Sequence, residues 1–457
     1  MHVFMKTIKR ILALVMVAAM VLVLLAGCKK KGADANEEPA GDMLAGTSES
    51  QVALFGDLNG TKIRIGEDPV LEKWEEDFYQ QLKEKTGMTI EMEPMGSNEL
   101  MNKISQAVAS GDTRNYFDVA IVVNSTILQA IYGNLIVPMD QYIDRTDPVW
   151  QYSYSENTDF LAPDVYKIDG KTYGAPSHGF HETFIFYNKT YFQEVGAPDP
   201  YEEYYLKDNW TKETFLDTCE AVTKRDADGN VEVAAWASWN YFTFPAAFGN
   251  DCIAQNDKDK WEVIIDQPNG MAGLDVLYQC AVNGWLNTET SGYEEFVARK
   301  IAMIIDKPSS AMGGPEAYSR MSDEIGLVPY PKMNKEQEKY IAPMSCSGYA
   351  ITACAQNPAG AAAYIYYHRL GEQNRDASEI GRENQFKTIL NEASQERRDE
   401  YIAKCDFTVP FIDGLNGWYN GDRDTFLNLM RKELKSPASA AESMKGLVRD
   451  ALRRTVI

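Results

Sequence analysis

"TKIRIGEDPVLEKWEEDFYQQLKEKTGMTIEMEPM", residues 61–95, carries two periodicities in succession. Ile63 and Ile65 alternate with polar neighbours, as in a strand whose side chains leave on opposite faces. Asp68 and Pro69 then offer a helix N-cap and a first-turn proline. Leu71, Trp74, Phe78 and Leu82 follow at spacings of three and four, which predicts an amphipathic helix that Gly87 stops. "MTIEMEPM" alternates again, Ser97 can open a second helix through Ile104 and Val108, and "FDVAIVVNS" (117–125) is a continuous apolar strand. The order is βαβαβ, which implies a parallel sheet with helices on both faces.

The alternation resumes downstream. "TFIFYN" (183–188) reads as a strand, "NWTKETFLDTCEAVTK" (209–224) as an amphipathic helix, and "VAAWASW", "KIAMIID" and "IGLVPYP" as buried strands. "YAITACAQNPAGAAAYIYYHRL" (349–370) is a strand, then Asn357 as cap, Pro358 at the first helical position, and a helix. A chain of 457 residues exceeds what one hydrophobic core usually holds, so two α/β lobes are expected.

Ahead of these elements, Lys6, Lys9 and Arg10 precede an apolar run from Ile11 to Leu25, the layout of an export signal. The run is shorter than the roughly 20 residues that a bilayer span needs. Leu25-Ala26-Gly27-Cys28 resembles a bacterial lipoprotein lipobox, which implies cleavage before Cys28 and diacylglyceryl attachment to its thiol. Lys29, Lys30 and Lys31 would add attraction to anionic headgroups. Residues 1–27 are therefore expected to be a lipoprotein signal peptide and 28–55 a flexible tether, with the protein held on the extracytoplasmic face of the cell membrane.

The formal net charge of −22 repels phosphate backbones and makes nucleic acid a poor partner. Besides Cys28 there are Cys219, Cys252, Cys280, Cys346, Cys354 and Cys405; their spacing fits several pairings as well as isolated buried thiols, and no CxxC pair occurs. Gly170-Lys171-Thr172 echoes a phosphate loop, but Val165 stands where its first glycine belongs, so a turn between short strands is expected. Asp226, Asp228 and Asn230 begin like a calcium loop, yet Val231 and Ala237 replace its glycine and final glutamate. His178 and His181 lack a third metal ligand nearby in sequence. No metal, cofactor or catalytic constellation is expected, and these motifs do not point to an enzyme.

Taken together, "KIDGKTYGAPSHGFHETFIFYNKTYFQEVG" (167–196), "NWTKETFLDTCEAVTKRDADG", "FVARKIAMIID", "IGLVPYPK" and "YAITACAQNPAGAAAYI", in that order, resemble family 1 of the extracellular solute-binding proteins, the maltodextrin-binding-like receptors of ABC importers. The resemblance covers most of residues 56–370. It implies the two-lobe periplasmic-binding-protein fold, each lobe a mostly parallel sheet flanked by helices, with a hinge between them. Lobe 1 would take residues 56–180 with about 350–400 returning to it, and lobe 2 residues 181–345 with about 401–457 returning. The chain would cross between lobes around Phe180–Thr183 and around Met344–Ala350, with Gly179 and Gly348 at the hinge.

Ligands of open α/β sheets sit beyond the carboxyl ends of strands. That rule points to Glu67, Asp68, Asn124 and Ser125 in the first lobe and to Asp306 and Lys307 in the second. "NYFTFP" (240–245) is similar to an aromatic stretch lining the maltodextrin site, which implies Trp239 and Tyr241 at the ligand; His181 falls at a hinge-proximal polar position, and Trp418 is a further aromatic candidate. Carboxylates and amides bond sugar hydroxyls while aromatic faces cover pyranose C–H groups. Trp239 stands where the maltodextrin receptors carry an acidic residue, so a carbohydrate other than maltodextrin is expected. The implied partners are a small-molecule solute, an oligosaccharide foremost, the ABC permease subunits, and the membrane through Cys28, with the receptor a monomer. The same fold would also serve a peptide, polyamine or phosphate ester, or a sensor's ligand-binding partner.

Overall fold

The computed structural model describes residues 41–67, 73–111, 114, 116–151, 166–238, 240, 242–256, 260–287, 292–306, 321–374, 396–398, 400–401, 404–432 and 436–456. Cys28, Asp68, Trp239, Tyr241 and Lys307 lie outside them.

Order begins earlier than expected. Met43 and Leu44 are buried, Ser48 caps a short helix α1 (Glu49–Ala53), and Phe55 packs against Tyr366 with ring centroids 5.7 Å apart. Gln51 is fully buried: its amide donates to Tyr142 O at 2.7 Å, and its carbonyl accepts from Trp150 Nε1 at 2.6 Å. The expected tether of 28–55 thus gives way at its end to a strap over residues 42–55, because Met43, Leu44 and Phe55 find a tyrosine-rich surface that sequence spacing does not reveal. Leu44→Ala should cost about 2–4 kcal/mol in denaturant unfolding, the range for deleting a fully buried leucine side chain, whereas a free tether would show no change.

The βαβαβ unit forms as its periodicity dictates. Strands β1 (Lys62–Glu67) and β2 (Thr89–Pro94) are parallel in the register Ile63↔Ile90, and helix α2 (Lys73–Thr86) buries Phe78 and Leu82 before Gly87 turns out at φ +74°. Helix α3 (Ser97–Ser110) buries Leu100, Ile104 and Ala107, with Gly96 rather than Ser97 at its cap. A Cβ on Gly66 would lie 2.3 Å from Leu100 Cδ1, so glycine there lets α3 sit on β1. β3 (Val119–Val123) adds to β1 in parallel and leads to α4 (Ile127–Tyr132) and β4 (Ile136–Val137). The buried Asp118 carboxylate accepts from Arg64 N at 3.0 Å, Gln356 N at 2.9 Å and Asn357 N at 3.1 Å, tying β1 to the chain's later return. The hairpin β5 (Lys167–Ile168) to β6 (Lys171–Thr172) turns through Asp169 and Gly170, both at positive φ, the turn anticipated for Gly170-Lys171-Thr172.

β7 (Ala175–Glu182) completes the approach to the first crossing, and β8 (Phe184–Asn188) already belongs to a second sheet. Thr183 alone separates them; its N–H donates to Pro343 O at 3.1 Å. There follow α5 (Lys189–Val195), α6 (Lys212–Val222), β9 (Lys224–Arg225), β10 (Val231–Ser238), α7 (Phe244–Ala247), the hairpin β11 (Ile253–Gln255) to β12 (Trp261–Val263), α8 (Pro268–Val282), β13 (Leu286–Asn287), β14 (Ile301–Asp306) and β15 (Ile325–Val328). β16 (Ile341–Thr352) then runs unbroken in the first sheet, followed by α9 (Pro358–Asn374), β17 (Asp406–Thr408), α10 (Arg423–Lys432) and α11 (Pro437–Val456). The first sheet has the order β17-β16-β3-β1-β2, with β4 and β7 also paired to β16; the second has the order β13-β10-β14-β8-β15, with β9 on β10.

Both sheets are mixed rather than mostly parallel. β16 runs antiparallel to β3, β4 and β7, and β8 antiparallel to β14 and β15, because these strands are the ones that pass between sheets and enter from the opposite end. The second crossing occupies residues 329–340, ahead of the expected Met344–Ala350, which lie inside β16. Gly348 is therefore no hinge: it pairs with Val122 and Pro176, and a Cβ there would stand 2.3 Å from the Ala175 carbonyl oxygen. His178 and Gly179 form a bulge in β7, unpaired between Ser177 (opposite Ser347) and Phe180 (opposite Cys346). α9 returns to the first sheet, with Tyr364 against Tyr349 at 5.3 Å. The tail is divided between sheets: β17 pairs with Ile341–Pro343 of β16, while α10 and α11 pack on α8.

Candidate functional site

β3 ends at Val123, and Asn124 and Ser125 turn the chain into α4; the Thr126 hydroxyl accepts from Val123 N at 3.1 Å and closes that turn. Asn124 is buried and Ser125 half-buried. In the second sheet β10 ends at Ser238, whose Oγ accepts from Asn240 N at 3.1 Å. The two strand ends meet on one turn, Phe411–Gly414. Asp413 Oδ2 accepts from Asn240 Nδ2 at 2.9 Å, and Gly414 packs so close to Asn124 that a Cβ would lie 2.8 Å from its carbonyl oxygen. Arg423, opening α10, reaches Asn240 Oδ1 at 3.4 Å. Asp251 anchors the turn by accepting from Phe411 N at 2.7 Å.

Asn240, Asp413 and Arg423 are buried and Asp251 is half-buried, and the electrostatics of the knot follow from that. Burial pushes the Asp413 carboxyl up to about 6, against the opposing pull of Arg423 and the Asn240 hydrogen bond. Asp251 is raised well above the carboxylate range, by burial first and also by the neighbouring Asp413 charge. Asn240 is the residue between Trp239 and Tyr241 in the sequence, and this knot holds Asn240 itself.

The other expected residues are distributed around it. Glu67 ends β1 and His181 lies in β7 opposite Ser345, both placed by their backbones alone. Asp306 ends β14 opposite Phe184, beside the first crossing, is fully buried, and accepts from the Tyr293 hydroxyl. Trp418 is a correction: it has no exposed surface and its ring meets Phe242 edge-on at 5.3 Å, so it is core rather than ligand-facing. Gly417, at φ +83°, turns the chain ahead of it. Asn240, Asp413 and Arg423 were not among the expected residues. "NYFTFP" begins with Asn240, but nothing in the local sequence around Asp413 or Arg423 signals that they meet it.

The calcium-like run Asp226–Asn230 closes the β9–β10 hairpin; Asp226 Oδ1 accepts from Asp228 N at 2.9 Å and Asn230 N at 2.8 Å. Among the described residues no cluster of His, Cys, Asp and Glu is arranged to hold a metal ion, and no helix is long and apolar enough to cross a membrane. A groove of about 730 Å³ between β1, β2 and α3 is bridged by Glu93, which pairs with Arg64 and with Lys103, each at 2.9 Å.

Two mixed sheets, joined by short crossings and presenting strand ends to a common turn, make up the two-lobe periplasmic-binding-protein fold. Residues 77–395 match the profile of the bacterial extracellular solute-binding proteins, and the chain belongs to that family. A comparison with curated proteins returns no match. Among solved structures it is similar to an ABC substrate-binding protein of Listeria monocytogenes in complex with cycloalternan (15% identity, TM-score 0.61, 86% of this chain and 99% of that one). It is also similar to the galacto-N-biose/lacto-N-biose I-binding protein of a Bifidobacterium longum ABC transporter, in complex with lacto-N-biose (13%, 0.61, 88% and 98%). A third is a Mycobacterium tuberculosis protein in complex with glycerophosphocholine (14%, 0.58, 84% and 96%). At these identities the likeness is one of fold.

Proposed function

We propose that this protein captures a carbohydrate, an oligosaccharide foremost, between its two sheets and delivers it to an ABC permease, while a lipid on Cys28 moors it to the outer face of the membrane. The observation that carries this reading is the convergence of Asn124 and Asn240 on the Phe411–Gly414 turn, with Trp239 and Tyr241 flanking Asn240. Amides and carboxylates at that place suit hydroxyl groups, and the two aromatics adjacent to Asn240 in the sequence would suit the apolar face of a sugar ring. The sugar complexes of two fold relatives support the choice of ligand class.

The role is binding rather than catalysis. Solute contacts from both lobes exist together only when the cleft is closed, so ligand selects the closed state. Thr183 and residues 329–340 are the segments about which closure would turn, with the Gly179 bulge beside the first of them. The lobes would comprise 56–182 with β16, α9 and β17, and 184–328 with α10 and α11, in a monomeric receptor.

A thermal-shift screen of the purified protein against oligosaccharides, glycerophosphodiesters, peptides and polyamines tests the ligand class. A ligand at 100 times its dissociation constant adds about 2.7 kcal/mol of stability. Stabilisation by an oligosaccharide alone is the expected result; stabilisation by glycerophosphocholine alone, the ligand of the mycobacterial relative, would replace the sugar reading. For the anchor, Cys28→Ala should leave unprocessed precursor or shed protein in cell fractionation, while processing and membrane retention like the parent's would remove the lipid from the account.

A further inference from the structure

The helical layer of the second sheet holds two thiols that solute binding does not use. Cys219 lies on α6 and Cys280 on α8, and both are fully buried. α6 leads by way of the β9 hairpin to β10 and α8 leads into β13, and those strands are parallel neighbours with Trp236 opposite Leu286. The two helices pack together, and Lys212 Nζ on α6 stands 3.0 Å from Asp275 Oδ2 on α8, which fixes their offset. From that bridge Cys219 is two turns further along α6, about 10 Å, and Cys280 is five residues further along α8, about 8 Å, so both cysteines reach a similar height. Phe215, Cys219 and Val222 form the buried face of α6, as Val276, Leu277 and Cys280 do on α8. Burial, and after it the adjoining Cys280 thiol, raises Cys219 well above the ordinary thiol range. The other described thiols have different company: Cys252 lies beside the Asp251 and Asp413 carboxylates, and Cys354 contacts the Thr352 hydroxyl at 3.4 Å.

We propose that Cys219 and Cys280 are joined as a disulfide in the exported protein. The chain belongs to an extracellular family, and disulfides persist outside the reducing cytoplasm. Each thiol gives up its hydrogen, a sulfur–sulfur bond forms between them, and the two electrons and two protons pass to a disulfide-bearing oxidant, which leaves as two thiols after a mixed-disulfide intermediate. Exchange needs an accessible thiolate, so it precedes the closure of α6 on α8, during folding after export; the finished bond is then shielded in the core. It would close a loop that contains β10 and Asn240, fastening the segment that carries the second sheet's share of the solute site.

The full chain, isolated from the extracytoplasmic face of cells, is denatured with iodoacetamide and no reductant, then digested with trypsin. Peptides 213–224 and 261–299, which hold these two cysteines, should appear as one linked species two hydrogens lighter than their sum and separate on reduction. Cys219→Ser or Cys280→Ser should each expose one additional titratable thiol on unfolding. Dithiothreitol should lower the melting temperature of the parent by roughly 5–10 °C and leave the double serine variant unmoved. Recovery of both peptides fully alkylated, or of Cys280 linked to another cysteine, overturns the proposal, and this mapping needs only the unmutated protein.

Discussion

Gly348→Val will unfold or nearly unfold the protein, with a loss above about 4 kcal/mol, instead of loosening a hinge. The added Cβ would sit 2.3 Å from the Ala175 carbonyl oxygen, 2.8 Å from its carbonyl carbon and 2.9 Å from Pro176 Cα. All three are backbone atoms of β7, paired to β16 on either side of the site, so no side-chain rotation relieves the clash. Gly348→Ala should fail for the same reason, since the first carbon is the offending one. Gly446 on α11 is the control: a Cβ there meets nothing within 4 Å, so Gly446→Ala should be neutral or stabilise by up to about 1 kcal/mol. Chemical denaturation of the three variants decides the matter. A Gly348→Val protein with parental stability and weakened ligand binding would restore the hinge reading.

Arg423→Ala should cost about 3–5 kcal/mol at pH 8, and much less at pH 5. Arg423 holds down the Asp413 carboxyl, whose buried position already raises it to about 6, and removing the guanidinium leaves a buried charge with only the Asn240 amide to offset it. Below that range Asp413 takes up a proton and the loss of its partner matters little. In the parent the sign runs the same way. A carboxyl that titrates near 6 when folded, and near 3.8 when unfolded, keeps its proton in the native state while the unfolded chain has lost it, so stability falls as pH rises from about 4 to about 6. Asp413→Asn removes that slope and should gain up to about 3 kcal/mol at pH 7.5, because the amide still accepts from Asn240 without carrying charge. Urea unfolding from pH 4 to pH 8 measures both variants. An unchanged slope in Asp413→Asn would show that another group carries it, with Asp251, also raised by burial, the first to test.

Local rules carried the sequence reading a long way. Alternation at Ile63 and Ile65, helical spacing at Phe78 and Leu82, Asn357 and Pro358 ahead of α9, and the apolar runs of β3, β10 and β14 all became the elements expected of them, because strand and helix periods are properties of a few consecutive residues. The strand-end rule placed Asn124 at the meeting of the sheets, since that rule needs only the direction of a strand and the place where its apolar run stops. The first crossing, by contrast, came from the family resemblance rather than from a local rule, and the structure puts it at Thr183, the single residue between β7 and β8. What required the tertiary structure was everything set by residues far apart in the chain. The direction of β16 and β8 depends on which sheet the chain has just left, and the tightness at Gly348 depends on a carbonyl 173 positions earlier. Trp418 looked the same in sequence as a ligand-facing tryptophan until Phe242 closed over it. Asp413 and Arg423 become functional candidates only because a buried carboxylate must find a donor and a counter-charge, and the fold brings Asn240 and Arg423 to it from 173 residues before and ten residues after.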